Sequence, residues 1–185
     1  ATIIIQKGQE KIKEITFDDR QDGLAGVDLT ILADHVTRGG VSDMVWQQEP
    51  ELIVWFVHTD GRLVGLTYDR ANNAVGWHTH PLGGSATVES ITAIPSGSED
   101  QVYLSVKRTI NSATVRHIVY LKSINFGTDI SDAFFLDSGL TYDGSATTTI
   151  SGLNHLEGET VSILADGSSH ADKTVSGGSI TLDRS

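Results

Sequence analysis

Two histidines one residue apart, in the run His78-Thr79-His80-Pro81, have the spacing in this sequence that comes closest to a reactive site. Alternate residues of a β-strand share a face, so both imidazoles can address one metal ion. Zinc needs further ligands. The chain has no cysteine, which removes a thiolate site, and no third ligand stands at a usable spacing. The same parity permits packing instead, with His78 and His80 on the polar side of an edge strand and Val75 and Trp77 turned inward.

Other chemistry is less well supported. The carboxylate pairs Asp18-Asp19, Glu49/Glu51, Glu99-Asp100 and Glu157/Glu159 fall mostly in turn-rich stretches. A glycosidase needs two carboxyls facing across a cleft, about 5–10 Å apart, which neighbours in a turn do not provide. Asp129, Asp132, Asp137 and Asp143 suggest calcium, but no Asp-x-Asp-x-Asp-Gly loop closed by a glutamate occurs, and turn chemistry accounts for them. Gly-x-Ser-x-Gly, a Walker loop and Gly-x-Gly-x-x-Gly are all absent. Trp46, Trp55, Trp77 and Tyr68 have faces that stack on sugar rings, yet they lie inside apolar strands, where core packing is their ordinary role. His35, His58, His117, His155 and His170 form no pattern. No catalytic, cofactor-binding or metal residue is therefore assigned, and the expectation is a protein that is not an enzyme and carries no cofactor.

The elements that position these residues are strands. Residues 41–81 read as four short antiparallel strands. Residues 52–57 are Val-, Ile- and aromatic-rich, as in a strand buried on both faces. Asp60-Gly61 then supplies a type I′ hairpin, after which Val64, Leu66 and Tyr68 share one face and Leu63, Gly65 and Thr67 the other. Asn72-Asn73 turns the chain into the strand that carries the histidines. A meander of this kind is the unit of a β-propeller blade.

A second meander follows an offset of about 45–50 residues later. Its strands are expected over 87–94, 101–109 and 114–122, separated by the turn residues 95–100 and by 110–113. Upstream, residues 1–27 read as an arm or edge strand. Asp28 is a plausible N-cap for a short amphipathic helix through Leu29, Leu32, Ala33 and Val36, ended by Gly39-Gly40. From residue 125 the composition shifts to Gly, Ser, Thr and Asp, with short strands at 133–136, 147–150, 160–164 and 179–182. Turns at Asp143-Gly144, Glu157-Gly158, Asp166-Gly167 and Gly177-Gly178 separate them, as in a small β-sandwich. The expected class is all-β: an arm and short helix over 1–40, two blade-like antiparallel meanders over 41–124, and a small sandwich over 125–185.

Charge narrows the partners. Thirteen basic residues against 24 acidic ones leave a net charge of −11, which opposes tight binding to nucleic acid or to an anionic membrane surface. No stretch approaches the roughly 18 apolar residues of a membrane span, and the opening Ala1-Thr2-Ile3-Ile4-Ile5 lacks the basic start of a signal peptide. The single methionine, Met44, is internal, and the chain stops at Asp183-Arg184-Ser185. A processed product or a piece of a longer polypeptide is expected.

Two resemblances bear on function. His78-Thr79-His80-Pro81 resembles the metal-binding core of the JAMM zinc isopeptidases, which implies a metal-dependent hydrolase. That family continues with a serine after six further residues and an aspartate three beyond it, where this chain has Val88 and Ile91. The wider likeness runs through the segments DLTILA (28–33), WQQEP (46–50), DGRLVGLTY (60–68) and VGWH (75–78). Downstream it continues in HLEG (155–158), VSILADG (161–167) and VSGGSITL (175–182). Together these resemble a central portion of the tail structural proteins of tailed bacteriophages and prophages, similar to the tail nozzle (tubular) proteins of short-tailed phages. The resemblance implies a long β-rich polypeptide with propeller-like and sandwich domains, assembled as a ring around the DNA channel. Its partners would be copies of itself and other tail proteins. It would be made in the host cytoplasm and reside in the virion, and no family active site carries over. A module that binds a host-surface glycan or protein is the alternative.

Overall fold

Residues 2–128, 133 and 135–184 are described by the structure, a computed structural model. Residues 2–28 form more than an arm or a single edge strand. Strands β1 (Thr2–Ile5), β2 (Ile12–Asp18) and β3 (Gly23–Asp28) form an antiparallel sheet in the order β1-β2-β3. Its inner face carries Ile3, Ile5 and Ile12, but the next inward position on β2 is Glu14, also buried. A charged residue at a core position hides the alternation by which a strand is read from sequence.

The expected helix shrinks to one turn, α1 (Asp34–Thr37). Asp28 does not cap it, because β3 runs through Asp28 and the Leu29 N–H still donates to the Ile12 carbonyl. The Asp28 carboxylate instead accepts the Thr30 N–H at 2.8 Å and the Thr30 hydroxyl at 2.5 Å, a side-chain-closed turn. Leu32 consequently stands 92% exposed, while Ala33 and Val36 reach the core. Gly39 and Gly40, both at φ 98°, end the turn as expected.

Strands β4 (Val41–Gln47), β5 (Ile53–His58), β6 (Leu63–Asp69) and β7 (Ala74–His80) form the predicted four-stranded antiparallel sheet in sequential order. The β5–β6 turn is not type I′. Gly61 is at φ 88°, but Asp60 keeps a negative φ. Gly61 N–H donates to the His58 carbonyl and His58 N–H to the Arg62 carbonyl, a type I turn closed by a glycine bulge. The Asp60 carboxylate selects it by accepting both Arg62 N–H at 3.0 Å and Arg62 Nε–H at 2.8 Å.

Both faces of this sheet are buried. Val54, Phe56, Val64, Leu66 and Tyr68 pack with Trp46 and Trp77 against Ile12 and α1. Trp55, Val57 and Leu63 pack the other way, against β8 (Thr87–Ser96) and β9 (Glu99–Ile110), through Val88, Ile91, Val102, Leu104 and Val106. With β10 (Ala113–Tyr120) these strands form a third antiparallel sheet, ordered β10-β9-β8. The three sheets stack in chain order, and the described residues close neither a barrel nor a propeller.

The C-terminal part is thinner. β11 (Thr149–Ser151) pairs with β14 (Ser179–Thr181), and β12 (Thr160–Ala165) with β13 (Ser168–Thr174). Its core is Leu153, Val175 and Ile180, flanked by Ile150, Leu156, Val161, Ile163 and Leu182. Asp166 and Gly167, at φ 49° and 75°, make the β12–β13 turn. No strand forms among the described residues of 133–136; Phe134 lies outside them. Strand β13 was not expected because Ser168–Thr174 has no large apolar side chain, and its pairing with β12 holds it.

Candidate functional site

The sequence places His78 and His80 on one face of β7, and the structure brings their rings together. Nδ1 of His78 lies 2.6 Å from Nε2 of His80, so a single proton joins them. β7 is an edge strand, as expected. The histidine face is not simply polar. His78 sits opposite Gly65 on β6, and Gly65 sits opposite Trp55 on β5. A Cβ at residue 65 would overlap the His78 ring, so glycine opens the slot in which that ring lies. Trp55 meets both imidazoles edge-on, with centroids 5.6 Å from His78 and 5.1 Å from His80. The Trp55 Nε1–H donates to Gln47 Oε1 at 2.7 Å, which fixes the indole. The outer nitrogen of His78, Nε2, is 3.3 Å from Thr67 Oγ1.

Partial burial lowers the basicity of both rings below the usual imidazole range, and His80 depresses His78 further. No carboxylate contributes. Among the described residues, no group of three or more His, Asp or Glu is arranged to hold a metal. A hydrolytic zinc centre with three protein ligands is therefore not built here. Trp77 packs inward as predicted, but Val75 is exposed.

The aromatic residues do not form a sugar platform, because strand parity divides them between opposite faces. Trp46 meets Tyr68 edge-on at 6.1 Å and Trp77 meets Phe56 at 5.4 Å in the core toward the first sheet. Trp55 faces the third sheet. An aromatic pair that sequence reading passed over lies elsewhere. Tyr103 on β9 and Tyr120 on β10 are register partners with centroids 6.0 Å apart. They occupy the outer face of the third sheet, beside exposed Ile94 and Ile118. The inward run Val102, Leu104, Val106 already turns Tyr103 outward.

Carboxylates mostly serve the backbone. Asp18 accepts the Arg20 N–H, Asp100 those of Gln48 and Glu49, and Glu157 those of Gly177 and Gly178. Asp129 and Asp132 lie outside the described residues. Asp137 accepts a hydrogen bond from buried Arg108 at 2.8 Å and from the Gly83 N–H at 2.5 Å, fastening the chain after β10 to the third sheet. Arg108 continues the inward series of β9, which makes it legible in retrospect.

Two further polar groups are buried between layers. Glu14, 1% exposed, forms an ion pair with Arg70 at 3.2 Å, and burial together with the neighbouring Glu14 carboxylate pushes the Tyr68 phenol up to about 12. His58 is buried with Nε2 2.8 Å from the Arg38 carbonyl and Nδ1 2.7 Å from the Asp60 carboxylate. A cleft of about 860 Å³ separates the C-terminal core from Gly83-Gly84-Ser85 and the end of β9, with Leu140, Leu156 and Val161 on its walls. No protein-family model matches the chain, and no curated protein matches it in sequence.

Proposed function

We propose that this chain is a non-enzymatic structural module of a bacteriophage or prophage tail. It forms part of the tube or nozzle by packing against copies of itself and other tail proteins. The observation that carries this reading is the stack of meanders. Each sheet meets the next through an apolar face, and the two outermost faces keep apolar side chains in the open. On the first sheet these are Phe17 and Leu24, 61% and 75% exposed; on the third they are Ile94, Ile118 and Tyr120. Exposed apolar side chains set side by side, as the register partners Phe17 and Leu24 are, mark assembly surfaces. Successive antiparallel meanders are also how propeller blades are strung together, which supports the blade-like reading. The tail-protein phrases of the sequence and its net charge of −11, suited to a conduit that DNA leaves without sticking, point the same way.

The test is assembly of the protein, followed by light scattering and electron microscopy. Rings that are lost when Phe17 and Leu24 become aspartate support the proposal. A strict monomer under all conditions overturns it. A host-surface binding module is the second reading, favoured by exposed Tyr120 packed on half-buried Tyr103; glycan-array binding abolished by Tyr120→Ala would establish it.

A further inference from the structure

We propose that His78 and His80 form a two-imidazole chelate for a divalent transition-metal ion, copper(II) above all. This binding site is separate from the assembly role and involves no hydrolysis. Three features build it. The two nitrogens already face each other at 2.6 Å, held there by consecutive same-face positions on β7. The Gly65 slot and the edge of Trp55 fix the His78 ring from below, while His80 is exposed and can swing to admit an ion. Thr67 stands at the far nitrogen of His78, where an outer partner orients a metal-bound imidazole.

The proton balance is closed. In the free protein one ring donates its only N–H to the other across the 2.6 Å contact. An ion bound to His78 Nδ1 and His80 Nε2 takes both facing lone pairs. The bridging proton must then leave that position, and whichever ring carried it changes tautomer. His78 ends protonated at Nε2, where Thr67 Oγ1 accepts, and His80 at Nδ1, toward solvent. No net proton is released when both rings start neutral. Bonds of about 2.0–2.1 Å require the nitrogens to part to about 3 Å, a small movement of the exposed His80. Two neighbouring nitrogens plus water suit tetragonal copper(II), which also binds imidazole more tightly than zinc or nickel does. No carboxylate is among the causes that shift either imidazole, and two nitrogen donors do not suit the oxygen-seeking ions calcium and magnesium, which are not expected to bind.

Trp55 supplies the readout, because a paramagnetic ion at the two rings would quench that indole at contact range. Titration with copper(II) in a non-coordinating buffer should give saturable one-to-one quenching and broaden the side-chain NMR signals of His78 and His80 first. His80→Ala, at an exposed position that should leave the fold intact by circular dichroism, should abolish the saturable phase. Thr67→Val should weaken it by about tenfold or more. Absence of one-to-one binding, undiminished binding by His80→Ala, or first broadening at His35, His117 or His155 instead would each overturn the proposal.

Discussion

Raising the pH should loosen the join between the first two sheets at one identifiable phenol. Tyr68 is buried, and the buried carboxylate of Glu14 acts on its hydroxyl. Burial is the largest cause and the Glu14 carboxylate the next, first as a hydrogen-bond acceptor and then as a charge, together moving the phenol from its ordinary value of 10.0 to about 12, while Arg70 pulls the other way. A pKa raised on folding means that the native state favours the neutral phenol. That preference is fully present below about pH 10 and is lost as pH rises from 10 toward 12. Two pKa units correspond to about 3 kcal/mol, a large part of the about 5–15 kcal/mol that holds a typical domain together. Denaturant unfolding of the wild type and Tyr68→Phe, measured across that window, isolates the effect, because lysines and the other tyrosines contribute equally to both. The wild type should lose about 3 kcal/mol more than the variant, with tyrosinate absorbance following the loss. Near pH 7 the two should differ by about 1 kcal/mol, the scale of one hydrogen bond. Parallel pH profiles for the two proteins would refute the assignment.

Removing the partner of the same carboxylate should act at neutral pH: Arg70→Ala leaves Glu14 buried and unpaired, and chemical unfolding should show a loss of about 1–3 kcal/mol. A wild-type melting curve for that variant would mean the ion pair does not form. Gly65→Ala puts a methyl group into the space of the His78 ring, so a loss of about 1–3 kcal/mol is expected, together with loss of the His78–His80 contact in imidazole NMR spectra. Tolerance within about 0.5 kcal/mol would show that the slot is not needed. Arg108→Met removes the tie to Asp137 and Gly83 while keeping the buried stem, so limited proteolysis within residues 121–148 should accelerate with the three-sheet core intact. An unchanged digestion pattern would place the tether elsewhere.

How much of this was legible follows from where period-two alternation survives. Residues 41–80 could be read strand by strand because both faces of β5 and β6 are apolar and turn residues separate the strands cleanly. The first sheet was missed because Glu14 sits where a hydrophobe would have marked the pattern. The helix was overdrawn because Leu29, Leu32, Ala33 and Val36 match helical spacing, although the ladder bond from Leu29 keeps the chain extended past Asp28. Strand β13 carries no hydrophobic signal at all. At the candidate site, parity alone put His78 and His80 on one face. Their packing on Trp55 through Gly65 depends on the register of three strands, which no local pattern encodes.

The central sheet, buried on both sides, also decides how the polypeptide can be divided. Cutting before β4 would strip the cover from Phe56, Leu66 and Tyr68, and cutting after β7 would bare Trp55, Val57 and Leu63. Neither piece would have a water-compatible surface where the cut was made. The segment that looks most expendable in the sequence, residues 2–28, is one of two lids on the same core. The shortest fragment that keeps both faces covered runs from β1 through β10, and an expression boundary placed by composition alone, near residue 40, would divide it.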